Sequence, residues 1–416
     1  MTTKLNAEDP AAESKPVSAP AGVTRSEMAF QRLASLDAYR GAIMLLMASS
    51  GFGIAQVAAG FPDSAVWKFL GHECEHAAWS GCTLWDLIQP AFMFMVGVAL
   101  PWSIANREAR GEAFGKMFAH ALRRALMLVL LGVFLTSAWS QRTEWQFTNV
   151  LPQIGLGYPF LFLLHWTRPR TQWLVAFGIL AGYWLVFALH PPPPSDFPWA
   201  SVGVPADWPH LAGFAAHWEK NANAAATFDP WFLNLFPRDT PFTHSSGGYQ
   251  TLNFVPSLAT MIFGMLAGRL LRSDPGMSDK LKRLLLAGLA GLVLGQALAL
   301  VGLCPIVKRI WTPSWVLFSG GWVTLLLAAF VVVVDWRGWK RWAFPLIVAG
   351  LNPIALYCLW QLTGGFIRDT LKTHLGPHVC ESFGATWSPM AERIAVLLVF
   401  WLILLWMSRR RIFLRI

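Results

Sequence analysis

Charge is scarce in this chain. Lys, Arg, Asp and Glu make up 13% of its 416 residues, against roughly 25% in an average soluble protein. That shortage excludes an ordinary soluble enzyme. A 55% share of hydrophobic residues excludes a disordered chain. Cysteine is scarce too: five is an odd number and gives no disulfide framework. Tyrosine numbers only 5, beside 23 Trp and 29 Phe, and Trp is a residue of membrane–water interfaces. With a mean hydropathy of +0.45, the composition predicts an all-α, polytopic membrane helix bundle. The formal net charge is +10. In such a protein the excess belongs in cytoplasmic loops, so nucleic acid is not an expected partner.

Residues 1–28 are polar and rich in Ala, Pro, Ser, Glu and Lys, and read as a disordered cytoplasmic tail with no cleavable signal. Residues 29–416 read as one transmembrane domain. Within it, apolar segments of about 20 residues recur, the length that crosses ~30 Å of hydrocarbon. Ten are expected: 35–58, 84–105, 117–138, 148–166, 172–190, 251–272, 284–304, 313–335, 343–362 and 389–408. With the N-terminus inside, 23 of the 33 Lys and Arg fall on the cytoplasmic side and nine outside, while Arg40 lies in the first span. This asymmetry predicts an even number of spans with both termini cytoplasmic. The outer side then holds 59–83, 363–388 and a long loop, 191–250, that begins with four Pro and is long enough to form part of a site. Cys74, Cys82, Cys304 and Cys380 also fall near the outer side, and a disulfide among them stays open.

Polar groups inside spans are costly and mark candidate sites. Asp37 and Arg40 are three apart, on one helix face near the cytoplasmic end, and suit the entry of an anionic cofactor or a structural ion pair. Asp86, at the outer start of the second span, could orient a histidine, bind an amine or serve a helix N-terminus. Lys308 and Arg309 sit outside, against the charge rule, where they could hold an anion or anchor on headgroups. Asn352 precedes Pro353 inside a span, and a proline there frees backbone groups for polar contacts. Gln250 and Asn253 open the sixth span.

The densest cluster is GHECEHAAWSGCTLWDLIQP, residues 71–90. His72-Glu73-Cys74-Glu75-His76 matches the HExxH zinc-protease pattern. A zinc site of that type needs both His on one helical face and a third ligand. His210, His217 and His244 are candidates for the third, and nothing singles one out. Alternatively, one imidazole does acid–base or nucleophilic work at the membrane face, since the group exchanges protons near neutral pH.

Five ordered blocks carry a resemblance. RLASLDAYRG (32–41) is similar to R-L-x-S-x-D-x-x-R-G. HAAWSGCTLWDLIQPAFMFMVG (76–97) is similar to H-A-x-W-x-G-x-T-x-x-D-L-x-x-P-x-F-x-F-x-x-G. PIVKRIWTPSWV (305–316), GLNPIALY (350–357) and RIFLRI (411–416) complete the set. Together they resemble the heparan-alpha-glucosaminide N-acetyltransferase family of transmembrane acyltransferases, from about residue 32 to 416. A bacterial-type member without a lumenal domain is expected. The resemblance implies transfer of an acetyl group from cytosolic acetyl-CoA to a glucosamine-type amine across the membrane. It implies His76 as the catalytic residue, either acetylated itself or acting as general base. It also implies that Asp37, Arg40, Asp86, Lys308 and Asn352 shape the site, and His72, without a counterpart, makes the zinc match accidental. Three departures concern the acceptor side. Ser49-Ser50-Gly51 replaces a family Asn, Gly247-Gly248-Tyr249-Gln250 replaces D-P-E-G, and Val150-Leu151-Pro152-Gln153 replaces V-L-Q-R.

The expectation, with the resemblance, is a membrane acyltransferase of the bacterial inner membrane that moves an acetyl or short acyl group to an amine or hydroxyl of an amino sugar or envelope glycan on the outer side. His76 and Asp86 are the expected catalytic pair, with Asp37 and Arg40 for acetyl-CoA. Lys308, Asn352, Gln250 and Asn253 are expected at the acceptor. No metal is expected. The lipid bilayer is a partner, and a homodimer is allowed. The rival is a transporter or flippase of a glycan or lipid-linked substrate.

Overall fold

A computed structural model describes residues 33–414; the tail expected over 1–28 lies outside them. Within this range the regular structure is helical, and the one β feature is an isolated antiparallel bridge between Ser80 and Val307. Seven helical segments are long and apolar enough to cross a membrane: 85–108, 114–137, 169–189, 251–272, 277–300, 313–336 and 388–409. The chain is a multi-pass helical membrane bundle.

In chain order the helices are α1 (Ala34–Ala48), α2 (Ile54–Ala59), α3 (Ala65–Glu73), α4 (Ile88–Glu108), α5 (Phe114–Ser137), α6 (Val150–His165) and α7 (Pro169–Leu189). Then come α8 (Ala224–Leu233), α9 (Phe254–Arg272), α10 (Met277–Leu300), α11 (Pro313–Phe330), α12 (Phe344–Leu351), α13 (Pro353–Leu375) and α14 (Ser388–Arg409). Side chains cap several N-termini. Ser64, Asn149, Asn223 and Thr312 each accept a backbone N–H of the following turn, satisfying donors that a helix start leaves open.

Three of the ten expected spans take another form. Segment 148–166 is α6, an apolar helix of only 16 residues. Segment 35–58 is α1 and α2, bent by 57°. Ser50, Gly51, Phe52 and Gly53 all have positive φ between them, a backbone that breaks a right-handed helix. Segment 343–362 is α12 and the start of α13, bent by 81°. Pro353 lacks an N–H and drives the preceding residue out of the α region, and Asn352 sits at φ −132°, ψ 56°. Helix α13 then runs on to Leu375, through Arg368, Asp369 and Lys372. Charge ended the hydropathy pattern there without ending the helix.

The centre of the bundle is α4 against α9, the two most buried spans, while α10 and α14 are the least buried. Close approach fixes this centre. A Cβ on Gly97 would overlap the Met261 carbonyl, and one on Gly264 the Phe94 carbonyl. Small residues let membrane helices approach to backbone contact. The outward face of α10 shows Leu285, Leu286, Leu289 and Val293, as a lipid-facing surface requires.

Candidate functional site

Helix α3 stops at Glu73, with Cys74 as its C-cap. His72 lies in the last turn of that helix and His76 beyond its end, so the two do not share a helical face as an HExxH site demands. Among the described residues no group of three or more His, Cys, Asp or Glu is arranged to hold a metal ion.

From Cys74 the chain loops to a short 3₁₀ turn, Trp85–Leu87, that leads into α4. The Thr83 hydroxyl donates to the Glu75 carbonyl (2.6 Å) and closes the loop. Asp86 sits at its centre, 1% exposed. Its Oδ2 accepts the amides of Ala77 (3.1 Å) and Thr83 (3.3 Å). Its Oδ1 is 2.7 Å from His76 Nδ1 and 3.1 Å from Lys308 Nζ.

Lys308 arrives from the connection between α10 and α11. The Ser80–Val307 bridge and a bond from Gly81 N to the Ile306 carbonyl (2.9 Å) clip that connection onto the histidine loop. Lys308 is 5% exposed. Burial pushes its amine below the usual lysine range, and the Asp86 carboxylate opposes that shift. A buried carboxylate is tolerated only when paired and hydrogen-bonded. Here one ammonium, one imidazole and two amides meet that condition.

The geometry selects a tautomer. An ionised carboxylate only accepts, so the 2.7 Å contact puts the imidazole hydrogen on Nδ1. Lys308 Nζ, 3.2 Å from Nδ1, is then a second donor converging on the same oxygen. Nε2 is left with its lone pair, on a side chain 40% exposed beside the Trp85 ring. A nitrogen fixed in this way can take a proton or attack a carbonyl carbon. Cys82, nearby in sequence, cannot compete. Burial, then Asp86 and Glu73, push its thiol up to about 12, and a thiol is a poor nucleophile.

The loop 191–250 folds against this cluster. Trp79 Nε1 donates to the Trp218 carbonyl (3.0 Å). Gly248, at φ +75°, leaves room for the Trp79 ring and the Lys220 stem. Lys220, 6% exposed, lies over the Trp208 ring at 4.6 Å. Arg309 donates to the Gly247 carbonyl (2.7 Å) and faces the Tyr249 ring. Asn253 donates to the Arg309 carbonyl (2.8 Å), and Gln250 reaches Asn221 at 3.4 Å. Thus Asn253 meets Arg309, and Gln250 meets Asn221 beside Lys220. Gln250 Oε1, Asn253 Oδ1, Arg309 Nε and Trp208 Nε1 are buried without a protein partner, an unusual concentration of open polar atoms. Sequence reasoning missed Lys220 and Asn221. The available signal was Lys220, a cation on the unfavoured side inside the long loop.

A cavity of about 440 Å³ lies elsewhere along α4. One end is lined by Arg40, Arg107, Arg110, His120 and Arg124, and the remainder by Phe92, Leu100, Leu128, Ile154, Tyr357 and other mostly apolar residues. Arg40 is held by Asp37 (3.2 Å), Arg107 by Glu112 (2.8 Å), and Arg124 by the Tyr158 hydroxyl (3.2 Å). Arg124 Nε remains buried without a partner. The arginines other than Arg40 were not singled out in the sequence from the rest of the cytoplasmic basic loops. Asn352 lies between the lining residues Leu351 and Pro353. Its amide donates to the Ile412 carbonyl (3.0 Å) and accepts Leu414 N (3.0 Å), and Leu414 lines the same cavity. Guanidinium groups above an apolar channel suit a phosphate-bearing ligand with a less polar arm.

Helix α4 connects the two regions. Asp86 leads into it, and Arg107 lies near its far end. At 1.5 Å per residue they are about 30 Å apart, the thickness of the hydrocarbon core. The structure thus joins His76, Asp86 and Lys308 at one end and places Asp37, Arg40 and Asn352 around the cavity.

Comparison with known proteins gives two findings. A family described as a domain of unknown function (DUF5009) matches residues 32–170, a stretch that includes Asp37, Arg40, His76 and Asp86. Heparan-alpha-glucosaminide N-acetyltransferase of Mus musculus is 23% identical over 372 residues, covering 78% of this chain and 53% of that protein. The protein of the same name from Homo sapiens is 23% identical over 369 residues, covering 78% and 52%. The chain spans about half the length of these curated relatives. The resemblance read from the five sequence blocks is therefore present across most of the chain.

Proposed function

We propose that this protein is a membrane acyltransferase. It moves an acetyl or short acyl group from acetyl-CoA to an amine or hydroxyl of an amino sugar or envelope glycan on the opposite side. The observation that carries the reading is the His76 ring, held by Nδ1 on a buried Asp86–Lys308 pair with Nε2 left open. The similarity to N-acetyltransferases and the arginine-lined cavity a membrane thickness away support it. The charge asymmetry puts the arginines on the cytoplasmic side, where CoA is made, and both termini with them.

In this reading Arg40, Arg107, Arg110 and Arg124 bind the donor's phosphates, and Asp37 holds Arg40 in place. The apolar part of the cavity takes the pantetheine arm. Asn352 keeps the segment 412–414 in the cavity wall and does not touch the acceptor. At the other end, Nε2 of His76 takes the proton of the acceptor amine as its nitrogen bonds to the acetyl carbon. The carbon–sulfur bond breaks, and CoA leaves as thiolate. The alternative order has Nε2 attack the acetyl carbon first, with the amine displacing His76 afterwards. Asp86 holds the ring in both. A general base contributes roughly 10²–10⁴-fold. The open polar atoms around Gln250, Asn253 and Arg309 are suited to acceptor hydroxyls.

The test is incubation of wild type and His76→Ala with labelled acetyl-CoA and a panel of amino sugars and envelope glycans. Label should reach an acceptor only with wild type. Stoichiometric label on wild-type protein without acceptor would select the acetyl-histidine order. Movement of a glycan across vesicles by both proteins, with no acetylation, would replace the enzyme by a flippase.

A further inference from the structure

A second cavity, of about 630 Å³, opens on the flank of the bundle. Helices α9 and α11 form its floor, and α7 and α10 its walls. Most of its length is apolar, with Trp173, Phe177, Phe263, Leu294 and Leu317 lining it. Gly320 leaves the floor bare: a Cβ built there would meet only Phe263, at 3.8 Å. The charged groups collect at one end, where Arg269 and Arg283 lie with Ser273 at the junction of α9 and α10. Arg269 donates to the carbonyls of His165 and Thr167. No carboxylate pairs with Arg269 or Arg283 among the described residues.

A small soluble anion would use the arginines and leave the apolar length empty. A neutral lipid would fill the length and leave two guanidinium groups without a counter-charge at the membrane. Both halves are satisfied by one chemical class. We infer that this groove is a binding site for an anionic phospholipid. Its phosphate is held by Arg269 and Arg283, and one acyl chain lies along the floor past Gly320. Arginine matches phosphate oxygens in a bidentate fork, and basic pockets between membrane helices are suited to acidic headgroups. The volume falls within the roughly 300–1,000 Å³ of ordinary ligand sites. The inference stands apart from acyl transfer and needs no activity to test.

The experiment uses the full chain purified in detergent, stripped of lipid, then titrated with phosphatidylglycerol, phosphatidylcholine of the same acyl chains, or inorganic phosphate. Bound lipid is counted by native mass spectrometry. Phosphatidylglycerol should be retained at one copy and outcompete phosphatidylcholine. Arg283→Gln, on an exposed side chain, should weaken retention about fivefold, the worth of one cation near an anionic headgroup. Gly320→Leu should block the chain and abolish retention of either lipid at this copy. Equal retention of the two lipids by wild type overturns the inference, and that arm needs no variant to fold. So does retention unaffected by both substitutions, or displacement of the lipid by millimolar phosphate.

Discussion

Asp86→Asn is the sharpest perturbation, because the structure dictates which way the new amide must turn. The Ala77 and Thr83 amides donate to Oδ2, so the asparagine oxygen must take that position. Its NH₂ then faces His76 Nδ1 and Lys308 Nζ, where Oδ1 stood. A donor against Nδ1 forces the imidazole hydrogen onto Nε2 and removes the lone pair the chemistry needs. The opposite rotamer sets the NH₂ against two backbone N–H groups. Either way the productive tautomer is lost, and the transfer rate should fall by roughly 10²–10⁴-fold, the full worth of a general base. Stability should fall as well, because breaking a buried pair costs about 3–5 kcal/mol. Lys308, almost wholly buried, would be left facing a donor. Asp86→Asn/Lys308→Met separates the two effects: it should recover most of the thermal stability and none of the rate. The assay is initial-rate acetyl transfer beside thermal unfolding of the same preparation. An Asp86→Asn protein retaining more than a tenth of wild-type rate would refute the tautomer argument. So would a double variant that regains activity.

Other outcomes follow from the same geometry. Arg107→Gln with Arg110→Gln should raise KM for acetyl-CoA about 10-fold or more, since one bond to a charged group is worth roughly 1.5–3 kcal/mol. Neither kcat nor KM for acetyl-pantetheine, which lacks the nucleotide phosphates, should change; parallel losses with both donors would remove the arginines from phosphate binding. Cys82→Ser should keep wild-type turnover, and Cys82 should resist iodoacetamide at pH 7, because its thiol is pushed up to about 12; rapid alkylation there would contradict this. Asp229, 1% exposed in α8, is raised to about 6 by burial, against 3.8 unperturbed, while the Thr251 amide partly opposes the shift. A raised carboxyl gives stability that is full below its unfolded value and lost as pH rises through 6, so roughly 3 kcal/mol should vanish between pH 4 and 7. Unfolding scans across that range should show the loss in wild type and a flatter profile in Asp229→Asn; identical slopes would count against it.

The membrane bundle and its main residues were legible because hydropathy and charge are local signals. Asp86 beside His76 was legible for the same reason: ten residues separate them, and the block that carries both reads as a unit. Lys308 was harder. It is 222 residues from Asp86, and the bridge from Ser80 to Val307 with the Gly81–Ile306 bond brings it there. Its sign on the unfavoured side marked it as odd without naming its partner. Gln250 and Asn253 were expected at the acceptor as isolated polar residues. The partners they find, Asn221 for Gln250 and Arg309 for Asn253, depend on the fold of the 191–250 loop, whose short 3₁₀ turns leave no periodic pattern. The arginines of the cavity were visible throughout. They were counted as topology, because a cation at a helix end serves orientation and ligand binding with the same charge.

The two broken spans tie these observations together. Non-helical backbone at membrane depth survives only where protein buries it or where it lines a cavity. Both breaks meet that condition, each at a different region. The turn at 49–53 packs Gly51 against Cys74 and Trp85, which flank His76, and Arg393 donates to Ser50 Oγ (2.9 Å) to hold it. The break at Asn352 lines the arginine cavity through Leu351 and Pro353 and binds the segment 412–414. A carrier that closed alternately over one site would place its breaks around that site. Here one break adjoins the His76 cluster and the other the arginine-lined cavity, about a bilayer apart along α4. That division suits a reaction whose donor enters from one side and whose acceptor waits on the other. It also makes Asn352→Ala informative: loss of its two bonds, at about 1 kcal/mol each, should speed proteolysis after Arg409–Arg411 and raise KM for acetyl-CoA while KM for the acceptor holds. A rise in the acceptor's KM instead would place Asn352 at the other end and break the division.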